Sequence, residues 1–270
     1  MAIRLGAVTY LNARPLVCGL ERHTQFSIRY DIPSECARLL HARQTDVGLI
    51  PSIEYLRGPG PYAIVPGPAV TSRGPVASVA IYTRRDPGDI RTIAMDTSSR
   101  TSVVLASVIL RRRFHVVAEP APMAPDLEMM LGRADAALII GDTALFLDHD
   151  AAGARKIDLG EEWTAATGLP FVYAFWTGWP AALTRPDVEA LQHARDEGVE
   201  QSGAVAAGYY PGDALRQAVA RQYLRDNIRY FLGREEREGL KTFYRYASEL
   251  DLVRFEGNLQ FYDAEYPGAD

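Results

Sequence analysis

The stretches RQTDVGLIPS (residues 43–52) and GRADAALIIG (residues 132–141) decide the fold, because they are two versions of one pattern. Each places a polar turn and an Asp directly before an apolar run of strand length. A short, continuous apolar run of this kind is typical of a strand buried inside a parallel sheet. We interpret the echo as two similar α/β units in one chain, since a repeat array would need three or more units.

The residues that lead up to and include each of these two stretches follow a β-α-β-α-β order. In the first unit, the pattern predicts strands over 3–9, 26–32 and 46–51, with a helix opening at Pro15 and another over 34–43. In the second unit, it predicts strands over 92–96, 115–119 and 135–141, with helices over 99–114 and 126–133. This order predicts parallel strands with helices packed on them, an α/β fold.

Two extended, aromatic-rich runs flank the second unit and predict how the lobes are connected. VASVAIYT (76–83) and PFVYAFWT (170–177) resemble crossover strands that enter and leave an inserted lobe. The segment from about 185 to 250 has a helical pattern and is expected to pack back on the first lobe. We therefore expect a discontinuous first lobe (1–84 with 178–270) and an inserted second lobe (85–177).

Composition limits the functional classes. The 270-residue chain is 47% hydrophobic and 23% charged, and its formal net charge of -5 argues against broad binding to nucleic acid or anionic membranes. Cys18 and Cys36 lie in apolar segments without CxxC spacing, which favours free thiols in a reducing cytosol. The opening residues MAIRLGAVTY resemble a first strand and not an export signal, so we expect a cytoplasmic protein. The oligomeric state stays open.

Ligands of open α/β sheets bind outside the carboxyl ends of the strands. Four loops follow a predicted strand and precede a predicted helix, and a ligand is expected between the lobes where these loops meet. The polar candidates in these loops and near the crossover strands are Asn12, Arg14, Ser52, Glu54, Ser72, Ser78, Thr97, Ser98, Ser99, Arg100, Thr101, Ser102, Asp142 and Tyr173.

DTSSRTS (96–102) is the most informative of these loops. Its hydroxyls and Arg100 crowd the start of a long apolar helix, where Ser98 or Ser99 could cap the helix. The same residues could instead bind a carboxylate or phosphate with the backbone N–H groups, and the sequence leaves both interpretations open. Arg14 and Arg100 could each clamp a carboxylate or simply face solvent.

The motif search narrows the chemistry further. The predicted cleft loops contain no His, and the sequence contains no phosphate-binding or dinucleotide-binding glycine motif and no metal-ligand spacing. We therefore expect a site for a small anion, without a metal or a cofactor.

Five motifs together resemble the chorismate dehydratase family of the futalosine route to menaquinone. They are VTYLNARPL (8–16), DVGLIPSIEY (46–55), GPVASVAIY (74–82), DTSSRTS (96–102) and TGLPFVYAFW (167–176). The resemblance implies a two-lobed fold of the type II periplasmic-binding-protein kind. It also implies cofactor-free removal of water from chorismate, giving 3-[(1-carboxyvinyl)oxy]benzoate.

Which group accepts the proton in that reaction stays open among Glu54, Asp142 and a carboxylate of the substrate. Our hypothesis is that the enolpyruvyl carboxylate of the substrate takes it, while Asn12 is catalytic and hydrogen-bonds the departing hydroxyl. Two alternatives remain: a solute-binding protein for a small carboxylate, and the related later enzyme 1,4-dihydroxy-6-naphthoate synthase. The first predicts an export signal or lipid-attachment cysteine, and the second a SPCPND-like pattern near the N-terminus; neither is found in this sequence.

Overall fold

The computed structural model describes residues 2–262; residue 1 and residues 263–270 of the expected first lobe lie outside the described residues. The strands are β1 (Ile3–Val8), β2 (Phe26–Asp31), β3 (Val47–Pro51), β4 (Ala63–Ser72), β5 (Val79–Thr83), β6 (Thr92–Asp96), β7 (Glu119–Met123), β8 (Ala136–Ile140), β9 (Arg155–Asp158), β10 (Phe171–Gly178) and β11 (Arg229–Phe231). The α-helices are α1 (Pro33–His41), α2 (Glu54–Arg57), α3 (Thr101–Arg113), α4 (Leu127–Leu131), α5 (Gly141–Leu145), α6 (Leu159–Thr167), α7 (Arg185–Glu200), α8 (Ser202–Tyr209), α9 (Ala214–Asp226) and α10 (Arg234–Glu249). Short 3-10 helices cover Leu11–Val17, Leu20–Arg22 and Pro87–Asp89.

The first sheet has the strand order β11-β4-β10-β3-β1-β2. β1 pairs in parallel with β2 and β3, so the carboxyl ends of these strands share one edge. All residues of β3 are buried, as the apolar run DVGLIP predicts. Burial of each large aliphatic side chain such as Leu49 contributes about 1.5–3 kcal/mol, which fixes this strand inside the sheet.

The second sheet has the order β7-β6-β8-β5-β9 and repeats the arrangement. β6 pairs in parallel with β7 and β8, while β5 runs antiparallel to β8 and β9. The α/β fold with two sheets is confirmed. Each sheet is mixed, however, and its parallel part is confined to three strands, because the strands that connect the sheets run back against them.

Strand pairing does not follow the expected lobe boundaries after residues 84 and 177. β5 pairs with β8 and β9 in the second sheet, whereas β10 pairs with β3 and β4 in the first. Boundaries at 84 and 177 would assign each of these strands to the opposite lobe. The reason is that β5 and β10 each pair on both sides within the sheet that follows the crossover. The division into lobes stays a prediction, and the strand pairing favours boundaries that lie before β5 and before β10.

Two predicted elements differ from the structure. The segment after β1 is the 3-10 helix Leu11–Val17, with Pro15 inside it, and not an α-helix opening at Pro15. The strand expected over 115–119 lies at Glu119–Met123, because Val116 is buried and its N–H bonds back to the carbonyl of Leu110 at the end of α3. β7 is an edge strand, where prolines are tolerated.

β4 and β9 are the main strands that the sequence analysis missed. β4 contains Pro66 and Pro68, and prolines argue against an inner strand because they lack the ladder N–H. The pairing of β4 with β10 and β11 is irregular around these residues, which accommodates them without a continuous ladder.

The C-terminal helices and an aromatic cluster join the two sheets. The centre of the Trp163 ring in α6 lies 5.2 Å from the centre of the Phe171 ring in β10 and 6.1 Å from the centre of the Phe243 ring in α10. These edge-on contacts tie the second sheet, the first sheet and the C-terminal helix into one core. Within residues 2–262, no helix is long and apolar enough to cross a membrane.

Candidate active site

A cavity lies where the carboxyl ends of β1, β3, β6 and β8 meet. One part of its wall is apolar and suited to a carbon ring, and another part is polar. The apolar lining residues are Val8, Ala13, Pro33, Leu49, Pro51, Val70, Val76, Val79, Ile140 and Ala174. The remaining lining residues are Tyr10, Asn12, Ser99, Arg100, Thr101, Ser102, Gly141 and Tyr173. Among the described residues that line this cavity, none is Asp, Glu or His.

The amino end of α3 forms one polar wall. Its N-cap residue is Arg100, and no side chain caps the helix. Ser98 instead donates to the Asp96 carboxylate at 2.7 Å, while the buried Ser99 hydroxyl has no hydrogen-bond partner among the described residues. The N–H groups in the first turn of an α-helix have no partner within the helix, so this end attracts an anion. The cap expected from Ser98 or Ser99 is therefore wrong, while the anion interpretation of DTSSRTS stays a prediction.

Asn12 also lines the cavity, from the 3-10 helix after β1. Outside the cavity wall, the hydroxyl of the buried Tyr223 in α9 lies 2.7 Å from the Ser78 hydroxyl. Sequence analysis singled out Asn12 and Ser78 but missed Tyr223, which lies in a helix far along the chain and carries no local signal.

Hydrogen bonds across the cavity hold the two sheets together at this edge. Tyr10 donates to the Ser98 hydroxyl at 2.9 Å, and the Ile53 N–H donates to the Thr101 hydroxyl at 3.2 Å. Gly141 has a φ of +66°, and a Cβ at this position would lie 2.7 Å from the Tyr10 ring. The close approach of the two loops therefore requires glycine here.

The same region also contains Ser52, Ser72 and Tyr173, whose hydroxyl groups already have hydrogen-bond partners within the protein. The Ser52 hydroxyl donates to the carbonyl of Val172 at 2.8 Å, and the Ser72 hydroxyl lies 3.1 Å from that of Tyr173. Tyr173 alone of these three is in the cavity wall. Burial raises the pKa of Tyr173 well above its ordinary value, so its hydroxyl stays protonated.

Three predicted candidates point elsewhere. The Arg14 guanidinium stacks 4.6 Å from the centre of the Tyr30 ring, in a second depression on the far side of the 3-10 helix. Thr97 is exposed, and its N–H donates to the carbonyl of Met123. The Glu54 carboxylate lies 3.5 Å from Arg57, away from the cavity wall.

Asp142 lies beside the cavity but is held by other groups. Its two oxygens accept from the Leu11 N–H at 3.1 Å and from the Tyr209 hydroxyl at 2.6 Å. Burial raises the pKa of Asp142 above its ordinary value. Both contacts fix the segment that carries Asn12, so the arrangement is suited to positioning that segment more than to contacting a ligand.

A carboxylate that sequence analysis missed lies at the start of α6. Asp158 accepts from the N–H groups of Gly160 at 2.9 Å and Glu161 at 3.1 Å, within its own helix. It also accepts from the N–H groups of Val76 at 3.0 Å and Ala77 at 2.7 Å, next to the cavity. An Asp just before LGEEW is a helix-cap signal, which was missed because β9 was missed.

Two facing mixed sheets, with polar loops around a cavity at the carboxyl ends of their strands, define the class of two-lobed, type II periplasmic-binding-protein-like folds. Solved structures agree with this class. Protein AF1704 from Archaeoglobus fulgidus has a TM-score of 0.75 at 15% identity, covering 93% of this chain and 98% of that one. The periplasmic aliphatic sulphonate binding protein SsuA from Escherichia coli has a TM-score of 0.62 at 17% identity, covering 100% and 97%.

Sequence comparison gives the family. The family model described as menaquinone biosynthesis matches residues 3–249, so the chain belongs to that family. A chorismate dehydratase from Thermus thermophilus is 29% identical over 265 residues, covering 88% of this chain and 93% of the relative.

Proposed function

We propose that the protein is a hydro-lyase that removes water from chorismate and forms 3-[(1-carboxyvinyl)oxy]benzoate without a cofactor. The observation that carries the proposal is the cavity itself, which is lined by Asn12, by the uncapped amino end of α3 and by apolar side chains. Membership of the menaquinone biosynthesis family and similarity to a chorismate dehydratase support it.

Chorismate carries two carboxylates on a small ring system, and the cavity offers matching groups. The amino end of α3 and the unpartnered Ser99 hydroxyl would bind one carboxylate. The side chains of Leu49, Val70 and Ile140 would contact the ring. Bound in this way, the dianion would present its ring hydroxyl to Asn12.

The reaction breaks the C–H bond at the carbon that carries the enolpyruvyl ether. That electron pair forms the new ring double bond, and the C–O bond to the neighbouring hydroxyl breaks, so that proton and hydroxide leave as water. The ring becomes aromatic, which makes the reaction strongly downhill. The protein's task is to hold the substrate in the reactive geometry and exclude competing reactions.

The structure supports a substrate carboxylate as the proton acceptor. Glu54 is engaged with Arg57 outside the cavity wall, and both oxygens of Asp142 already accept hydrogen bonds. Asn12 would donate to the departing hydroxyl and stabilise the negative charge that develops on it. A group that contacts the leaving group in this way acts mainly on kcat.

The direct test is to incubate purified protein with chorismate and follow the aromatic product by absorbance and mass spectrometry. Unchanged chorismate would contradict the proposal and favour a binding protein. Asn12→Ala should lower kcat by at least about 100-fold, since loss of one such donor typically costs 10²–10³. Retention of full activity by this variant would refute the role of Asn12.

Two variants examine the alternative bases. Glu54→Gln and Asp142→Asn should keep kcat within about threefold of the wild type, because neither carboxylate is expected to take the proton. A large loss of kcat in either variant, with chorismate binding intact, would identify a protein base.

A cytoplasmic location belongs to the same proposal and is supported by the biosynthetic family.

A further inference from the structure

A second depression lies on the other side of the 3-10 helix that follows β1. Its volume is about 560 Å³, and its described lining shares no residue with the cavity of the candidate active site. The residues of this lining that matter for a ligand are Arg14, Val17, Cys18, Tyr30, Val205 and Tyr209. The depression is therefore separate from the place where the proposed reaction would occur.

The charge of Arg14 is only partly compensated within the protein. The guanidinium carbon lies 4.6 Å from the centre of the Tyr30 ring and 5.2 Å from the centre of the Tyr209 ring. Within residues 2–262, Arg14 forms no ion pair, and its Nε is buried without a hydrogen-bond partner. Aromatic rings attract a cation, but they are weak acceptors for its N–H groups. Arg14 is thus suited to bind an anion that accepts from those groups.

The other charged residues in the lining already have partners. Both oxygens of Glu197 accept from Arg22, at 2.7 and 2.8 Å. The Glu21 carboxylate accepts from the Tyr30 hydroxyl at 2.8 Å and is exposed, so solvent screens its repulsion of an anion. Arg14 is therefore the group at which an added anion would gain most, and a planar carboxylate matches the fork of a guanidinium.

The surface beside Arg14 suits a ligand with a ring. The rings of Tyr30 and Tyr209 and the side chains of Val17 and Val205 line the same depression, and aromatic rings pack well against such groups. We propose that the depression is a second binding site, for a small aromatic carboxylate whose charged end is bound by Arg14. The product of the proposed reaction is one member of this class, but the assignment rests on these contacts and not on the proposed function.

Cys18 provides a local readout. It lines the depression and is half-buried, whereas Cys36 is 0% exposed, so iodoacetamide should label Cys18 first, as peptide mass spectrometry can verify. Benzoate at about 50 mM should slow the labelling of Cys18 at least about fivefold, as expected for a site with a Kd of about 10 mM or less. An unchanged labelling rate would contradict the proposal.

Two related compounds separate the charge of the ligand from its ring. Benzamide has the ring without the charge, and acetate has the charge without the ring. At the same concentration and ionic strength, each should slow the labelling less than about twofold. If benzamide protects Cys18 as well as benzoate does, the role of the Arg14 charge is refuted. Equal protection by acetate would refute the aromatic class.

Variants of Arg14 assign the protection to this side chain. In Arg14→Met, benzoate should slow the labelling less than about twofold, because the guanidinium is lost. Arg22→Met is the matched control: Arg22 also lines the depression, but Glu197 already binds it, so protection should stay within about twofold of the wild type. Full protection in Arg14→Met, or its loss in Arg22→Met alone, would overturn the assignment.

A second variant keeps the test decisive if Arg14→Met does not fold. Arg14→Lys retains the charge but lacks the planar fork, so protection by benzoate should fall at least about twofold. Undiminished protection in this variant would contradict binding by the fork. No step of the test uses chorismate, so its result and that of the chorismate assay are independent.

Discussion

Helices α3 and α6 begin beside the same cavity and differ in one respect. The first turn of α6 binds the carboxylate of Asp158, which also accepts N–H groups from Val76 and Ala77. The first turn of α3 has no side-chain cap, and its Ser99 hydroxyl is buried without a partner among residues 2–262. One helix end is capped by a carboxylate of the chain, and the other has no side-chain cap within the described residues.

The difference shows how to distinguish a structural helix end from a binding one. Both ends lie close to buried backbone, and both offer N–H groups to negative charge. The internal carboxylate of α6 serves folding, because it satisfies four backbone donors that would otherwise be buried unpaired. Leaving α3 uncapped costs stability, and the proposed binding of a substrate carboxylate would explain that cost.

Removing the internal carboxylate should produce the largest effect. Asp158→Ala leaves four backbone N–H groups without their acceptor, so the free energy of unfolding should fall by about 4 kcal/mol. Asp158→Asn can keep the three contacts of one oxygen and should lose only about 1–2 kcal/mol. Urea unfolding measures both. Equal losses in the two variants would contradict the role of the shared oxygen.

Giving α3 a carboxylate of its own should make it resemble α6. Arg100→Asp places an acidic residue at the N-cap and should raise the free energy of unfolding by about 0.5–1 kcal/mol. It should raise KM for chorismate at least about tenfold, since it competes with the substrate anion. Arg100→Asn is the matched control, because it can cap the helix without adding negative charge. The same KM in both variants would argue against an anion at this end.

Removing the unpartnered hydroxyl should have a smaller effect. Ser99→Ala should raise KM about fivefold, corresponding to one lost hydrogen bond of about 1 kcal/mol. The free energy of unfolding should stay constant or rise slightly, since the hydroxyl has no partner within the described part of the free protein. Ser107→Ala serves as the control: Ser107 lies inside α3, its hydroxyl is bonded to the carbonyl of Val103, and its removal should leave KM unchanged.

Replacing Asp142 should have the smallest effect on stability, and this effect should depend on pH. Because burial raises its pKa, the folded state binds its proton more tightly than the unfolded state does. The stability of the wild type relative to Asp142→Asn should therefore decrease as pH rises from the ordinary value of 3.8 through the raised pKa, and then stay level. Urea midpoints of the two proteins between about pH 4 and 7 measure this, and a relative stability that rises with pH would contradict it.

The sequence predicted the sheets where hydrophobic pattern and strand length agree. DVGLIP and DAALIIG form β3 and β8, and the loops after them meet at the cavity as expected. The hydrophobic pattern did not predict β4. This strand contains prolines, which argue against an inner strand, yet it lies between two other strands of the sheet. The hydrophobic pattern also placed β7 too early in the chain. The N–H of the buried Val116 bonds to the carbonyl of Leu110 at the end of α3, so the strand begins only after this residue.

The candidate site was predictable in part, for a physical reason. Asn12 and Ser99 to Ser102 follow parallel strands of the two different sheets, so strand topology places each at the carboxyl edge of its own sheet, and the packing of the sheets brings the two edges together. The direction in which a side chain leaves a 3-10 helix cannot be read from such a pattern, and Arg14 turns away to Tyr30. The contact of Tyr223 with Ser78 was missed because it joins residues more than a hundred positions apart.

The hydroxyl and amide contacts that join the loops across the cavity have a kinetic consequence. Tyr10 with Ser98, and Ile53 with Thr101, pair neutral groups, and each such bond contributes only about 0.5–1.5 kcal/mol. Separating these loops would also break the contacts of the Asp142 carboxylate with the Leu11 N–H and the Tyr209 hydroxyl, and bonds to a charged group are stronger, at about 1.5–3 kcal/mol each. Loop and domain motions of this kind occur on the microsecond to millisecond scale, so the Asp142 contacts should set how often the cavity opens more than the neutral pairs do.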